Sequence, residues 1–324
     1  MEAEIRVYTP VIIPTLCRYT HFKRCLESLA RCTGAEYTEV YIGLDYPAKE
    51  EHWSGYKKIR DYLETCGNLG FKKLIVIRRE RNYGLGVNGN HSQLMNLVFS
   101  KYDRLISSED DNEFSPCFLE YMNKGLELYK DDDSIYSITG YAHPINLGDY
   151  EYNFYIHYAA CAWGIGLWRN KRMSLEKFKT SHSPKQIILS HDIWKILSTE
   201  FFLVLPLLVM SCKQVIYGDY YIEIYCVLTG KSNIVPFIRK TRNWGFDGSG
   251  VHCGAVKNND YIKLPIDEER HFEFDDINDV KSKTKQVNLS VMKYRRKGYN
   301  FVSYLKLIKY FLGFVMFVIK DKHS

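Results

Sequence analysis

The feature that most restricts the fold is an alternation across the first 140 residues, where short apolar runs are separated by longer amphipathic stretches. Strand-like runs occur at Pro10–Pro14, Val40–Asp45, Lys73–Arg78, Arg104–Ser108 and Ser134–Thr139, with helix-like stretches at about 20–32, 54–66, 88–100 and 116–130. A run too short for a helix, bounded by turn residues, is a buried strand, whereas a longer stretch with apolar residues every three or four positions is a helix with one buried face. Strands that alternate with helices predict an α/β fold with a mostly parallel sheet and helices on both of its faces. Ligands in such sheets bind outside the carboxyl ends of the strands, so the residues that follow each strand carry the functional reading.

Those residues are polar. The first strand runs into Pro14-Thr15-Leu16-Cys17-Arg18 and the second into Asp45. The third continues into Arg78-Arg79-Glu80-Arg81-Asn82-Tyr83-Gly84-Leu85-Gly86, and the fourth ends in Glu109-Asp110-Asp111. A cationic loop, an acidic loop and a glycine-bearing loop are therefore expected on one sheet edge.

The acidic cluster is the strongest local signal. Like charges repel, so clustered carboxylates at a strand end are costly unless a cation offsets them. Hard oxygen donors suit Mg²⁺ or Mn²⁺, which commonly complete their shell with water and a substrate diphosphate. Ser115 and Pro116 follow as an expected helix cap and first helical position, ahead of an apolar stripe of Phe118, Leu119, Met122 and Leu126.

The segment Ser108-Glu109-Asp110-Asp111-Asn112-Glu113-Phe114-Ser115-Pro116 resembles the metal-binding Glu-Asp-Asp segment of GT-A glycosyltransferases, of the N-acetylglucosaminyltransferase I type and of bacterial family 2 sugar transferases. The resemblance implies a GT-A fold, a nucleotide-binding half over 1–140, an acceptor-binding and catalytic half over 141–256, and a tail over 257–324. It implies that Asp111 contacts the metal and that Glu109 and Asp110 hold the ribose and the metal's waters. Thr9-Pro10-Val11-Ile12-Ile13-Pro14-Thr15 with Arg18 resembles the first nucleotide-binding strand, which puts Pro14, Thr15 and Arg18 near the diphosphate and Asp45 near the base. Arg81, Asn82 and Gly84 fall in the turn that resembles the one beside the nucleotide.

The resemblance continues through Cys161-Ala162-Trp163-Gly164-Ile165-Gly166-Leu167-Trp168-Arg169, an acceptor-side segment in which Trp163 and Trp168 either stack on sugar faces or belong to the core. Tyr217-Gly218-Asp219-Tyr220-Tyr221 resembles an acidic helix start, which implies Asp219 as catalytic base, with Asp192 or Glu223 as substitutes. Asn243-Trp244-Gly245-Phe246-Asp247-Gly248-Ser249-Gly250-Val251-His252 resembles a loop that closes over the donor. His252 is then a metal ligand or diphosphate contact, with His182 and His191 as competitors. The implied activity is an inverting transfer of a hexosyl or N-acetylhexosaminyl group from a UDP-sugar or other nucleotide sugar to a glycan or lipid-linked glycan hydroxyl, with Mn²⁺ or Mg²⁺, in bacterial surface polysaccharide synthesis. A sugar-nucleotide nucleotidyltransferase would open with a glycine-rich basic loop, which Pro10–Thr15 lacks. The intact Glu109–Asp111 cluster argues against a silent sugar- or nucleotide-binding relative.

The 324 residues suffice for one large α/β domain with intimately packed halves, and 46% hydrophobic with 25% charged residues describes a chain with a real core. A formal net charge of +6, with no basic run interleaved with aromatics, fits anionic nucleotides or lipid headgroups and excludes a nucleic-acid track. Nine cysteines without CxxC spacing, behind a start without a signal-like apolar stretch, lead to the expectation of a cytoplasmic protein with free thiols. Phe201–Met210 is too short to span a bilayer and reads as buried. The segment from Tyr304 to Lys322, with Lys306, Lys309, Lys320 and Lys322 among Phe, Leu and Val, reads as an amphipathic helix lying at the inner membrane face or packed on the protein's own core.

Overall fold

A computed structural model of the chain describes residues 8–249 and 264–321. His252 lies outside the described residues. Strand β1 (Val11–Thr15) is flanked on one side by β2 (Glu39–Leu44) and β3 (Lys73–Arg78), and on the other by β4 (Arg104–Ser107), all parallel. β1 and β2 read VIIPT and EVYIGL and are buried almost throughout, as expected of central parallel strands covered on both faces. Edge strand β3 is exposed at Lys73 and Arg78. Pro14 is tolerated in a central strand because β4 pairs only with Val11 and Ile12, so no neighbour requires the missing N–H.

Among the described residues the sheet has eight strands, completed by β6 (Ile135–Thr139), β7 (Phe154–His157), β8 (Ile165–Trp168) and β9 (Ser232–Pro236) in the order β3-β2-β1-β4-β8-β6-β9-β7. β8 runs antiparallel to β4 and β6, and β7 antiparallel to β9, so six strands share one direction. This is the expected mostly parallel sheet.

Period-two alternation divides the core. Val11, Ile13, Val40 and Ile42 face helices α1 (Tyr19–Ala30), α2 (His52–Thr65) and α4 (Phe118–Leu128). Ile12, Tyr41 and Leu105 face α3 (Asn90–Phe99) and a group of helices made by α5 (Arg169–Ser181), α6 (Pro184–Leu189), α7 (Asp192–Thr199), α8 (Val204–Lys213) and α9 (Gly218–Thr229). A separate two-stranded ribbon joins β5 (Asn112–Phe114) to β10 (Thr241–Asn243) in antiparallel register, with Asn112 opposite Asn243. Helices α10 (Ile277–Ser282), α11 (Thr284–Gly298) and α12 (Phe301–Asp321) close the chain.

Two local expectations are corrected. Ser115 does not cap α4: its hydroxyl lies 3.3 Å from Cys117 Sγ, its backbone N–H donates to Lys240, and the helix starts at Phe118. Ribbon pairing competes with capping for the same residues and prevails. The charged stretch from 257 onward is no surface tail over its described part. Phe272 and Val280 join the core beside α4, and Lys240 forms a buried ion pair with Asp267. The run Phe201–Met210 is largely internal as expected, since Leu203, Leu207, Leu208 and Met210 are buried.

Candidate active site

The register sets the site. Thr15 is opposite Leu44 and Leu44 opposite Arg78, so the loops after β1, β2 and β3 leave the sheet side by side. β4 stops lower, with Ser107 opposite Ile12, and its acidic continuation turns back across the end of β1. Thr15 Oγ1 donates to Asp110 Oδ2 at 2.9 Å, and the Arg18 guanidinium pairs with Asp110 and, at 2.8 Å, with Asp111 Oδ2. Asp110 and Asp111 are 7% and 5% exposed, so this is a desolvated ion cluster rather than a solvated turn.

The ribbon supplies what sequence reading missed. Asn243 Nδ2 donates to Asp111 Oδ1 at 2.6 Å and to Asn112 Oδ1 at 3.1 Å, while the backbone N–H of Trp244 donates to the Asp111 carbonyl at 2.9 Å. A Cβ at Gly245 would press on Asp111 Oδ2, so a larger residue there would have to displace that carboxylate. Trp244 Nε1 donates to Glu113 Oε2 at 2.9 Å, Arg24 lies 4.1 Å above the Trp244 ring, and His21 faces Asp247 at 3.2 Å. The sequence marks 243–252 as a loop, and nothing in it distinguishes Asn243 from its neighbours. A three-residue strand has no periodicity to read, and its partner lies 131 positions away.

Across from the acidic loop stands Asp219, in the first turn of α9, where the helix dipole favours an anion. It retains exposed surface, yet enough protein surrounds it that burial raises its pKa to about 6, partly offset by the Ala162 backbone amide. Glu109 is held well above the usual carboxylate range by burial and then by the charges of Asp111, Asp219 and Asp110. Burial likewise raises Asp110, against the pull of Arg18. Cys161 lies within the field of both Asp219 and Glu109, and with burial they push its thiol up. Among the described residues, four carboxylates thus come together with a single arginine salt-bridged among them, an arrangement that favours a cation or retained protons.

Other expected site residues are placed as follows. Asp45 is buried, and its carboxylate accepts the backbone N–H groups of Tyr46, Tyr83 and Gly84 at 2.9–3.0 Å, so it ties the β2 and β3 loops together. Asn82 Nδ2 donates to Tyr46 O at 2.6 Å, and exposed Arg81 lies 5.0 Å from the Tyr83 ring. Gly84 adopts a φ of 57°, the left-handed turn conformation. Trp163 borders the ribbon loop, with its ring 5.5 Å from Phe246 and 4.6 Å from Tyr141. Trp168 is corrected: it is 4% exposed, donates Nε1–H to Leu126 O at 3.0 Å and packs under Lys171, so it is a core residue and no sugar platform. Glu223 is 3% exposed and paired with Arg295, whereas Asp219, one turn earlier in α9, keeps exposed surface. Asp192 faces His182 at 3.9 Å, and His182 stacks on Phe178, so both are occupied within the α5–α7 helices. His191 is exposed just before α7.

No protein-family model and no curated protein sequence matches the chain. Among solved structures it is similar to S. aureus TarS, with a TM-score of 0.30 and 16% identity over 45% of this chain and 23% of that one. It is also similar to TarS 1–349 in complex with UDP-GlcNAc, with a TM-score of 0.32 and 15% identity over 54% of this chain and 48% of that one. A third likeness is to the mannosyltransferase PcManGT from Pyrobaculum calidifontis in complex with GDP-Man and Mn²⁺, with a TM-score of 0.39 and 12% identity over 69% of this chain and 70% of that one. The chain spans about a quarter to a half of the TarS chains it matches. At these scores the chemistry rests on the side chains described above.

Proposed function

We propose that the chain is a metal-dependent inverting glycosyltransferase that uses a nucleoside diphosphate sugar, a UDP-sugar first among them. The observation that carries this reading is the arrangement of Glu109, Asp110 and Asp111 around Arg18 at the strand ends, with Asp219 facing them.

Among the described residues no three Asp, Glu, His or Cys side chains form a ready-made metal cage. The donor chemistry nonetheless fits a hard divalent cation. Among the described residues each Asp111 oxygen accepts one side-chain hydrogen bond or ion pair, which leaves acceptor capacity, and Glu109, pushed up to about 8, retains a proton that a cation would replace. Asp111 would hold Mn²⁺ or Mg²⁺ with help from the donor's phosphates, and His252 is a further candidate. The ion supplies charge stabilisation for the departing diphosphate.

The remaining steps belong to the chain's own groups. Arg18 exchanges part of its pairing with Asp110 and Asp111 for the diphosphate as negative charge develops there. Asp219, with a pKa of about 6, is ionised at neutral pH and accepts the acceptor hydroxyl proton. The acceptor oxygen forms its bond to the anomeric carbon as the opposite carbon–oxygen bond to the diphosphate breaks, and the centre inverts. Trp163 forms one wall of the acceptor side. The acceptor class is a glycan or lipid-linked glycan hydroxyl, as in bacterial surface polysaccharide assembly.

The test is nucleoside diphosphate release from a panel of sugar nucleotides with Mn²⁺ or Mg²⁺, with Asp111→Ala as control. Release from one donor, abolished by chelator and by the substitution, supports the reading and names the donor. Binding of a sugar nucleotide without turnover against any acceptor would instead favour a silent binding protein.

A further inference from the structure

Helix α12 carries two apolar faces, and the body of the protein covers only one. One side packs along α8: Leu307 and Tyr310 are half-buried, Phe314 is 4% exposed, and Cys212 Sγ donates to the Tyr310 carbonyl at 3.5 Å. On the other side Phe301, Leu305, Ile308, Leu312, Met316 and Ile319 recur every three or four residues and are 47–75% exposed. That spacing sets them in one stripe along the whole helix. An uncovered apolar stripe of this length marks a contact surface.

Charge decides what covers it. From Val280 to Lys320 the chain has ten Lys and Arg residues and no Asp or Glu. Lys306 and Lys309 are exposed on α12, as are Lys293, Arg296 and Lys297 on α11. A second copy would set these cations against their own kind, whereas an anionic bilayer complements them. Among the described residues no helix is long and apolar enough to cross a membrane, so α12 would lie in the interface plane.

The patch also reaches the site. Tyr299 packs its ring against Phe202 at 4.7 Å and against Tyr304 at 5.8 Å, and it lies within the field of Tyr220, the residue after Asp219. Val215, Ile216, Tyr217 and Tyr220, all 38–47% exposed, extend the apolar surface to the start of α9.

We propose that α12, with Val215–Tyr217 and the exposed start of α9, seats the protein on an anionic lipid surface and that the acceptor approaches Asp219 from that surface, carried on a lipid. The acceptor half of this statement rests on the glycosyl-transfer reading, and the membrane half does not.

The experiment is co-sedimentation of the full chain with vesicles of phosphatidylcholine, with and without phosphatidylglycerol. Partitioning onto the anionic vesicles is expected, falling about fivefold for each lysine neutralised in Lys306→Gln and Lys309→Gln. The double variant Ile308→Glu/Leu312→Glu is expected to stay in solution with an unchanged thermal midpoint, because neither residue belongs to the stripe packed on α8. Absence of vesicle binding, or binding indifferent to these substitutions, overturns the proposal. So does a lipid-free dimer, seen by light scattering, that the Ile308→Glu/Leu312→Glu variant dissociates. For the acceptor half, transfer to a lipid-tailed acceptor in vesicles should exceed transfer to its water-soluble counterpart and lose that advantage in the double variant. Vesicle binding without any donor turnover would leave the anchor standing and remove the glycosyl-transfer reading.

Discussion

Arg18 and Arg295 each hold a pair of buried carboxylates, and the two clusters differ in what surrounds them. Arg295, on α11, reaches Glu223 and Glu200, which are 3% and 0% exposed, and Tyr158 donates to Glu200 at 2.6 Å. Burial pushes Glu223 up to about 7, against the pull of Arg295, so this cluster relieves its surplus charge with a retained proton. It joins the C-terminal helices to α9 below Asp219. Arg18 holds Asp110 and Asp111 at an edge that Glu109 and Asp219 also face. Glu109, pushed up to about 8, retains a proton as well, so the two clusters differ in exposure and not in protonation. A cluster closed off from solvent specifies packing, and one whose carboxylates still meet solvent, as Asp219 does, serves a ligand.

The sharpest break between the two comes from activity. Asp219→Asn should lower kcat by about 10²–10⁴-fold while leaving the unfolding midpoint within error, as measured by product release and by denaturant titration. A variant that instead unfolds would make Asp219 part of the packing.

The next largest effect is on stability. Arg295→Met should cost about 3–5 kcal/mol in urea unfolding, because it strands two buried carboxylates. Arg18→Met should cost less, and added Mn²⁺ should recover much of that loss but none of the loss in Arg295→Met. Equal rescue, or none in either, would erase the distinction between open and closed clusters.

Metal binding itself should stabilise the protein. At a Mn²⁺ concentration about 100-fold above Kd the gain should be about 2.7 kcal/mol, visible as a rise in thermal midpoint. Asp111→Asn should abolish it.

The smallest effects are in pH. With Asp219 at about 6, kcat/KM should decline as pH falls below that value, with a slope near one proton. Stability follows Glu223 the other way. Its folded pKa of about 7 lies above the unfolded 4.5, so between these values the folded state binds more protons and stability falls as pH rises. Glu223→Gln should flatten that decline and narrow the stability gap between pH 5 and pH 8 by about 2.5 kcal/mol.

Much of the architecture was legible because it is written locally. Lys73–Arg78 is a strand in sequence and in structure, and the other four expected strands and four expected helices differ from the observed ones by a few residues at their ends. The acidic loop was legible too, since consecutive carboxylates after a strand need no partner to be noticed. Trp168 was ambiguous, because an indole at a strand end has the same composition whether it faces a cleft or, as here, Leu126. Ser115 misled, because its neighbours favour a cap and only the ribbon with β10 diverts it.

By itself, then, the sequence determined the α/β alternation, the burial of β1 and β2, and the chemistry available at each strand end. These follow from periodicity and residue type, which act over one or two turns of chain. Only the tertiary structure decided which charges meet: that Arg18 sits among Asp110 and Asp111, that Asn243 and Gly245 close on Asp111, that Asp219 rather than Glu223 is left exposed, and that one stripe of α12 stays uncovered. Such pairings span up to 132 residues, and a contact over that distance is set by how the sheet closes and what space remains, which no local pattern encodes.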